Sequence, residues 1–156
     1  MRTECRPAAI AMFLIVAMLN LSGCASTSML RPFTTDACSL FPDGDAEDAS
    51  RWSECCVAHD QLYWRGGTAT QRRHADVALR DCVLAHTGRQ HLADLMFRGV
   101  RIGGSPLLPT PFRWGYGWRY GRGYAPLTPD EQRMADEKHA EYSLKRSEAA
   151  CTPPSE

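Results

Sequence analysis

The chain has 156 residues, 44% of them hydrophobic, and its 18 basic side chains balance its 18 acidic ones. That length suits one domain of ordinary size. The neutral balance excludes recruitment of a partner by net charge, so any electrostatic signal must be local.

Arg2 and Arg6 precede an apolar run from Ala8 to Leu19 that is too short to cross a bilayer comfortably, and Leu21-Ser22-Gly23 then lead into Cys24. The pattern resembles a bacterial lipoprotein signal. The resemblance implies that residues 1–23 are a signal peptide and that Cys24 becomes an acylated first residue. An ordinary signal peptide or an uncleaved anchor is the alternative. Ala25 follows in place of an acidic residue, which by the same resemblance points to the outer membrane of a bacterial envelope. Export makes disulfides the expected state of Cys38, Cys55, Cys56, Cys82 and Cys151, with zinc the lesser alternative, although five thiols cannot all pair.

Residues 24–36 are small and polar with Pro32, and read as a tether to a domain over 37–126. Cys38 to Gly44 is a loop by its Pro, Gly and Asp content, and Asp43, Asp45, Glu47 and Asp48 make this region acidic. Helices are expected from about Ser50 to Trp64, stopped by Gly66-Gly67, and from about Thr70 to His86, stopped by Gly88. A shorter one over His91 to Val100 carries Leu92, Leu95, Met96 and Val100 at helical spacing, as a core face. From Pro106 to Pro126 the rings of Trp114, Tyr116, Trp118, Tyr120 and Tyr124 alternate with Gly and Arg, and no acidic residue occurs between Asp94 and Asp130. Such a composition suits a phospholipid headgroup layer, with Trp114, Trp118 and Tyr120 as membrane contacts, or an ordered loop packed over the core. Nucleic-acid stacking would use the same residues, but export argues against a nucleic-acid partner. Thr128-Pro129-Asp130-Glu131 is a capping box with proline at the first helical position, opening an exposed helix over 127–150 before a tail at 151–156.

The densest chemistry lies in Cys55-Cys56-Val-Ala-His59-Asp60-Gln-Leu62-Tyr63, answered by Asp76 and Cys82. On a helix Cys55, His59, Leu62 and Tyr63 share a stripe, with Cys56 and Asp60 on its flank. Two helices joined by a short loop pack antiparallel. A bridge between Cys55 and Cys82 would then set a register with Leu62 opposite Ala75 and Asp76 about half a turn from His59.

Cys-Cys-x-x-His-Asp-x-x-Tyr followed by an Asp six residues before a Cys resembles the secreted phospholipase A2 family. The resemblance covers roughly Cys38 to Gly88. A further cysteine pair usual in that family is missing, with Leu62 and Ala75 at its positions, which suggests an apolar contact there. The resemblance implies a mainly α fold built on a disulfide-linked antiparallel helix pair, with the Gly/aromatic loop and the C-terminal helix added. It pairs Cys55 with Cys82 and Cys38 with Cys56 and leaves Cys151 over.

Ester hydrolysis needs a base for water, an orienter for that base and positive charge where the oxyanion forms. Histidine titrates near neutral pH and can take a proton from water without a serine nucleophile. The resemblance implies His59 as base, Asp76 as its orienter, Tyr63 as a hydrogen-bond donor to Asp76, and calcium on Asp60 with backbone carbonyls of the Cys38 to Gly44 loop. In the family that loop is glycine-rich, whereas here Gly44 is the only glycine before the first helix. The expected activity is calcium-dependent hydrolysis of the sn-2 ester of glycerophospholipids at a phospholipid membrane. The alternative keeps the helix pair as a non-catalytic envelope lipoprotein that binds lipid or an envelope protein partner.

Overall fold

A computed structural model describes residues 30–151, and among them the chain forms four helices and no strand. The leader, Cys24 and residues 152–156 lie outside the described residues. In order, the elements are α1 (Ser53–Arg65), α2 (Ala69–Thr87), α3 (Gln90–Gly103) and α4 (Pro129–Cys151). Among the described residues no helix is long and apolar enough to cross a membrane.

Local chemistry sets most of these boundaries. α1 begins at Ser53 rather than Ser50 because Asp48 competes for the preceding backbone: its carboxylate accepts from Ser50 N at 2.9 Å and its carbonyl from Arg51 N at 3.2 Å. α2 opens with a capping box not foreseen in the sequence, in which Gln71 N donates to Thr68 Oγ1 and Thr68 N donates to Gln71 Oε1. Gly88 closes it in the left-handed conformation. The expected capping box of α4 is present, with Thr128 N donating to Glu131 Oε2 at 2.9 Å and Glu131 N to Thr128 Oγ1 at 3.3 Å. α4 is largely exposed, docks through buried Ala135, and extends to Cys151 rather than stopping at 150.

α1 and α2 run antiparallel, Cys55 meeting Cys82 and His59 meeting Asp76, and α2 also packs against α3. Cys55 bridges Cys82 across the helix pair, and Cys56, turned about 100° around the same helix, bridges Cys38 in the preceding loop. The first bridge spans 27 residues, and a loop of that size stabilises by roughly 3 kcal/mol in the chain-entropy view. Both bridges lie in a core with Trp52, Leu79, Val83, Ala93 and Met96. Leu95, expected in that core, is largely exposed instead.

Three further expectations are corrected. Residues 30–36 are no tether: Leu30 and Phe33 are buried against Trp64, Trp118 and Ala135, and Arg31 O accepts from Trp64 Nε1 at 2.8 Å. Leu62 does not close over Ala75. It keeps 44% exposure while Ala75 packs with Tyr63 and Trp114, whose larger rings fill the space. Trp114 and Trp118 are not membrane contacts, being 2% and 4% exposed in the core, whereas Tyr120 is 57% exposed.

The burial of those tryptophans has a backbone cause. The last carbonyls of a helix have no partner within it. Those of α1 are met by the aromatic segment, because Gly115 N donates to Tyr63 O at 2.7 Å, Gly117 N to Trp64 O at 3.2 Å and Trp118 Nε1 to Arg65 O at 2.7 Å. This requires close approach: Gly66 has φ +71 and a Cβ on it would sit 2.9 Å from Gly115 Cα. Buried Arg113 then gathers the segment's own carbonyls, donating to Gly115 O and Trp118 O at 2.7 Å each. Arginine without nearby acid here serves backbone oxygen, not phosphate.

Candidate active site

α1 carries His59, Asp60 and Tyr63 on the side that faces α2 and the Cys38 loop, and α2 returns Asp76 to the same point. His59 Nε2 lies 3.0 Å from Asp76 Oδ1, and Tyr63 OH donates to that same oxygen at 2.7 Å. The other oxygen, Oδ2, accepts from Arg101 Nη1 at 2.5 Å and lies 3.9 Å from Arg72 Nε. Asp76 is 0% exposed. Burial alone would raise its carboxyl, yet the donors from His59, Arg101 and Tyr63 outweigh burial and hold it below the usual carboxylate range. Burial and the Asp76 charge push the Tyr63 hydroxyl above the ordinary phenol range, so it stays a donor.

Gly104 makes room for this arrangement, since a Cβ there would meet Tyr63 Cε1 at 2.4 Å. Trp114 packs edge-on against Tyr63 with centroids 5.1 Å apart. Arg72 joins the helices from behind. Its Nε donates to Tyr63 OH at 3.0 Å, while Nη2 donates to the carbonyls of Val100 and Arg101 near the end of α3. No motif or spacing in the chain assigns Arg72 or Arg101 to the site. Arg101 falls in the acid-free stretch after Asp94 without a motif of its own, and Arg72 lies in a polar run; only i, i+4 spacing from Asp76 hints at its place.

His59 lines a cavity of about 350 Å³ whose wall is mostly apolar, including Phe41, Leu79, Met96, Val100 and Phe112. Among the described residues Nδ1 of His59 has no hydrogen-bond partner. Asp60 lines this cavity and also an adjoining cleft of about 300 Å³ shared with Thr35, Asp36 and Tyr116. Thr35 Oγ1 donates to Asp60 Oδ2 at 2.7 Å. That single hydroxyl does not offset burial, and Asp36 adds like charge, so the Asp60 carboxyl is pushed up to about 7.

The loop beside Asp60 turns without glycine. Ala37 and Leu40 take its left-handed positions, at φ 61° and 59°, each at a cost of about 1–2 kcal/mol. The Cys38–Cys56 bridge and a 2.8 Å bond from Cys38 N to Asp43 Oδ1 hold the turn. The acidic residues after it are taken up locally: Asp45 pairs with Arg51 and Arg89, Glu47 with Arg51, and Asp48 accepts from Ser50. Asp36, Thr35, Ser39 and Tyr116 share the cleft with Asp60, so the polar groups there are oxygens. A set of oxygens around a buried carboxylate is of the kind that fits calcium. Cys55, Cys82 and His86 cluster at metal-ligand spacing, but both sulfurs are spent in the disulfide.

Comparisons of the chain with protein-family models, with curated proteins and with solved structures find no match.

Proposed function

We propose that the chain is a phospholipase A2-like ester hydrolase that cleaves the sn-2 ester of glycerophospholipids, with water as the nucleophile. The observation that carries this reading is the buried His59–Asp76 pair, 3.0 Å apart, at the wall of an apolar cavity. Asp76 holds the proton of the ring at Nε2, which leaves Nδ1 of His59 to take a proton from water. Tyr63 steadies Asp76 through Oδ1. The cysteines that line the cavity are bridged, and the hydroxyl of Ser39 donates to Asp36, so neither supplies a nucleophile to His59. The apolar wall suits an acyl chain.

Asp60 and Asp36, with carbonyls of the Cys38 to Gly44 loop, would hold a calcium ion, which when bound supplies Lewis acidity for the ester carbonyl and a partner for the phosphate. The choice of the sn-2 position rests on the family resemblance, as does anchoring through Cys24 in the outer membrane. The rival reading, an envelope scaffold that binds lipid through its aromatic segment, loses two of its three contacts to the core.

The test is hydrolysis of phospholipid in mixed micelles with calcium or with a chelator. His59→Gln is expected to lower turnover by about 10²–10⁴-fold with the thermal midpoint nearly unchanged. Wild-type turnover in that variant would overturn the assignment.

A further inference from the structure

We infer that Arg101 is a positioning residue that locks the rotation of the Asp76 carboxylate so that Oδ1 stays aimed at His59. The inference rests on the hydrolase reading above for its kinetic consequence, but not for its structural content. The two oxygens of Asp76 are divided between two tasks. Oδ1 takes both site donors, His59 Nε2 at 3.0 Å and Tyr63 OH at 2.7 Å, and Oδ2 takes Arg101 Nη1 at 2.5 Å.

A carboxylate turns readily about its terminal torsion, where the rotamer wells are broad. The turn is about the Cβ–Cγ bond and moves both oxygens, so His59 and Tyr63 restrain it at Oδ1 only, by one ring contact and one neutral hydroxyl. A charged donor on the second oxygen fixes the far end of the group as well, and a charge-assisted bond is roughly twice as strong as a neutral one. Arg101 is the only residue among the described ones that hydrogen-bonds Oδ2.

Arg101 is itself placed from outside. It stands in the last turn of α3, and its carbonyl accepts from Arg72 Nη2 at 2.8 Å, while Val100 O accepts from the same nitrogen at 3.0 Å. Arg72 belongs to α2, as Asp76 does. Each helix thus sends a guanidinium to the other: α2 holds the α3 backbone, and α3 returns Arg101 to the α2 carboxylate. The contact also adds a second cation beside the buried carboxylate, since Arg72 Nε lies 3.9 Å from the same oxygen without hydrogen-bonding it. The Arg101 side chain is 33% exposed and so is reachable from solvent.

The test uses the full chain in detergent with Arg101→Ala, Arg101→Gln and Arg101→Lys, and two readouts. One is the kcat and KM split on phospholipid micelles. The other is the ring N–H proton resonance of His59 Nε2 in the resting protein, which needs no turnover. Arg101→Ala is expected to lower kcat by about 10- to 100-fold with KM within about twofold, because orientation and not binding is lost. It should also weaken or shift the ring signal, and millimolar guanidinium should restore both. Arg101→Lys should retain most of kcat, and Arg101→Gln should behave as Arg101→Ala.

An unchanged ring signal and kcat in a folded Arg101→Ala would overturn the inference. So would a loss of kcat in all three variants that guanidinium does not rescue and that tracks a fall in thermal midpoint, which would mark a structural role. If Arg101→Ala does not fold, Arg101→Lys against Arg101→Gln decides, equal loss in both overturning the inference. A wild-type chain that hydrolyses nothing sinks the hydrolase reading alone, because the ring signal still separates a locked carboxylate from a free one.

Discussion

Two aspartates on one helix pair are buried to a similar degree and treated in opposite ways. Asp76 receives His59, Tyr63 and Arg101, and its carboxyl is held below the usual range. Asp60 receives one hydroxyl from Thr35, faces a like charge in Asp36, and is pushed up to about 7. Burial acts on both, so the difference lies in the partners. A carboxylate surrounded by fixed donors is finished as a structural element, and one left with a hydroxyl is set up to receive a cation or a proton. The first fits an orienting role and the second a ligand.

The largest expected way to break this contrast is to remove the finished partner. Asp76→Ala leaves Arg101 and buried Arg72 facing each other without a counter-charge, which should cost about 3–5 kcal/mol in a urea unfolding series. A loss below 1 kcal/mol would show that the two arginines relax to solvent. Next comes the prop behind Tyr63. Trp114→Ala should cost about 3 kcal/mol by opening a void beside the Tyr63 ring, with no change in liposome binding. Liposome binding that falls while stability holds would return Trp114 to the membrane.

The smallest effect, and the one that sharpens the contrast most, is at Asp60. Burial raises its folded-state carboxyl to about 7, well above the ordinary aspartate range, so the folded chain binds that proton more tightly than the unfolded chain does. Without divalent cation, stability should therefore fall as pH rises from about 4 to about 7 and level off above, by an amount on the order of 1–3 kcal/mol. Asp60→Asn should flatten that slope and be the more stable form at pH 8. Calcium should reverse the order, stabilising the wild type and not Asp60→Asn, by thermal melts at pH 8. A wild-type melt that ignores both pH and calcium would remove Asp60 from any ligand role.

The segment around Trp114 and Trp118 shows where sequence reading stops. Rings alternating with Gly and Arg carry no helical or strand period, so nothing in the order of residues says which side meets the core. What decides it is the free end of α1, whose carbonyls need donors that Gly115, Gly117 and Trp118 bring. The same holds for residues 30–36, which look like a linker by composition but pack Leu30 and Phe33 against Trp64.

By itself, the sequence determined what depends on neighbours along the chain, the helix ends marked by Gly88 and the Thr128–Glu131 box; the two bridges followed from the family resemblance, and the approach of His59 to Asp76 from one of them taken as formed. Spacing along an α-helix is a fixed rise and turn, so one cross-link carries a register to every residue of the pair. Tertiary structure alone decided how buried charge and backbone oxygen are met. Arg101 comes from 25 positions beyond Asp76, and Arg72 reaches 29 positions to its carbonyl. Satisfying a buried polar group is a demand on whatever lies nearby in space, and no periodicity along the chain records which residue will answer it.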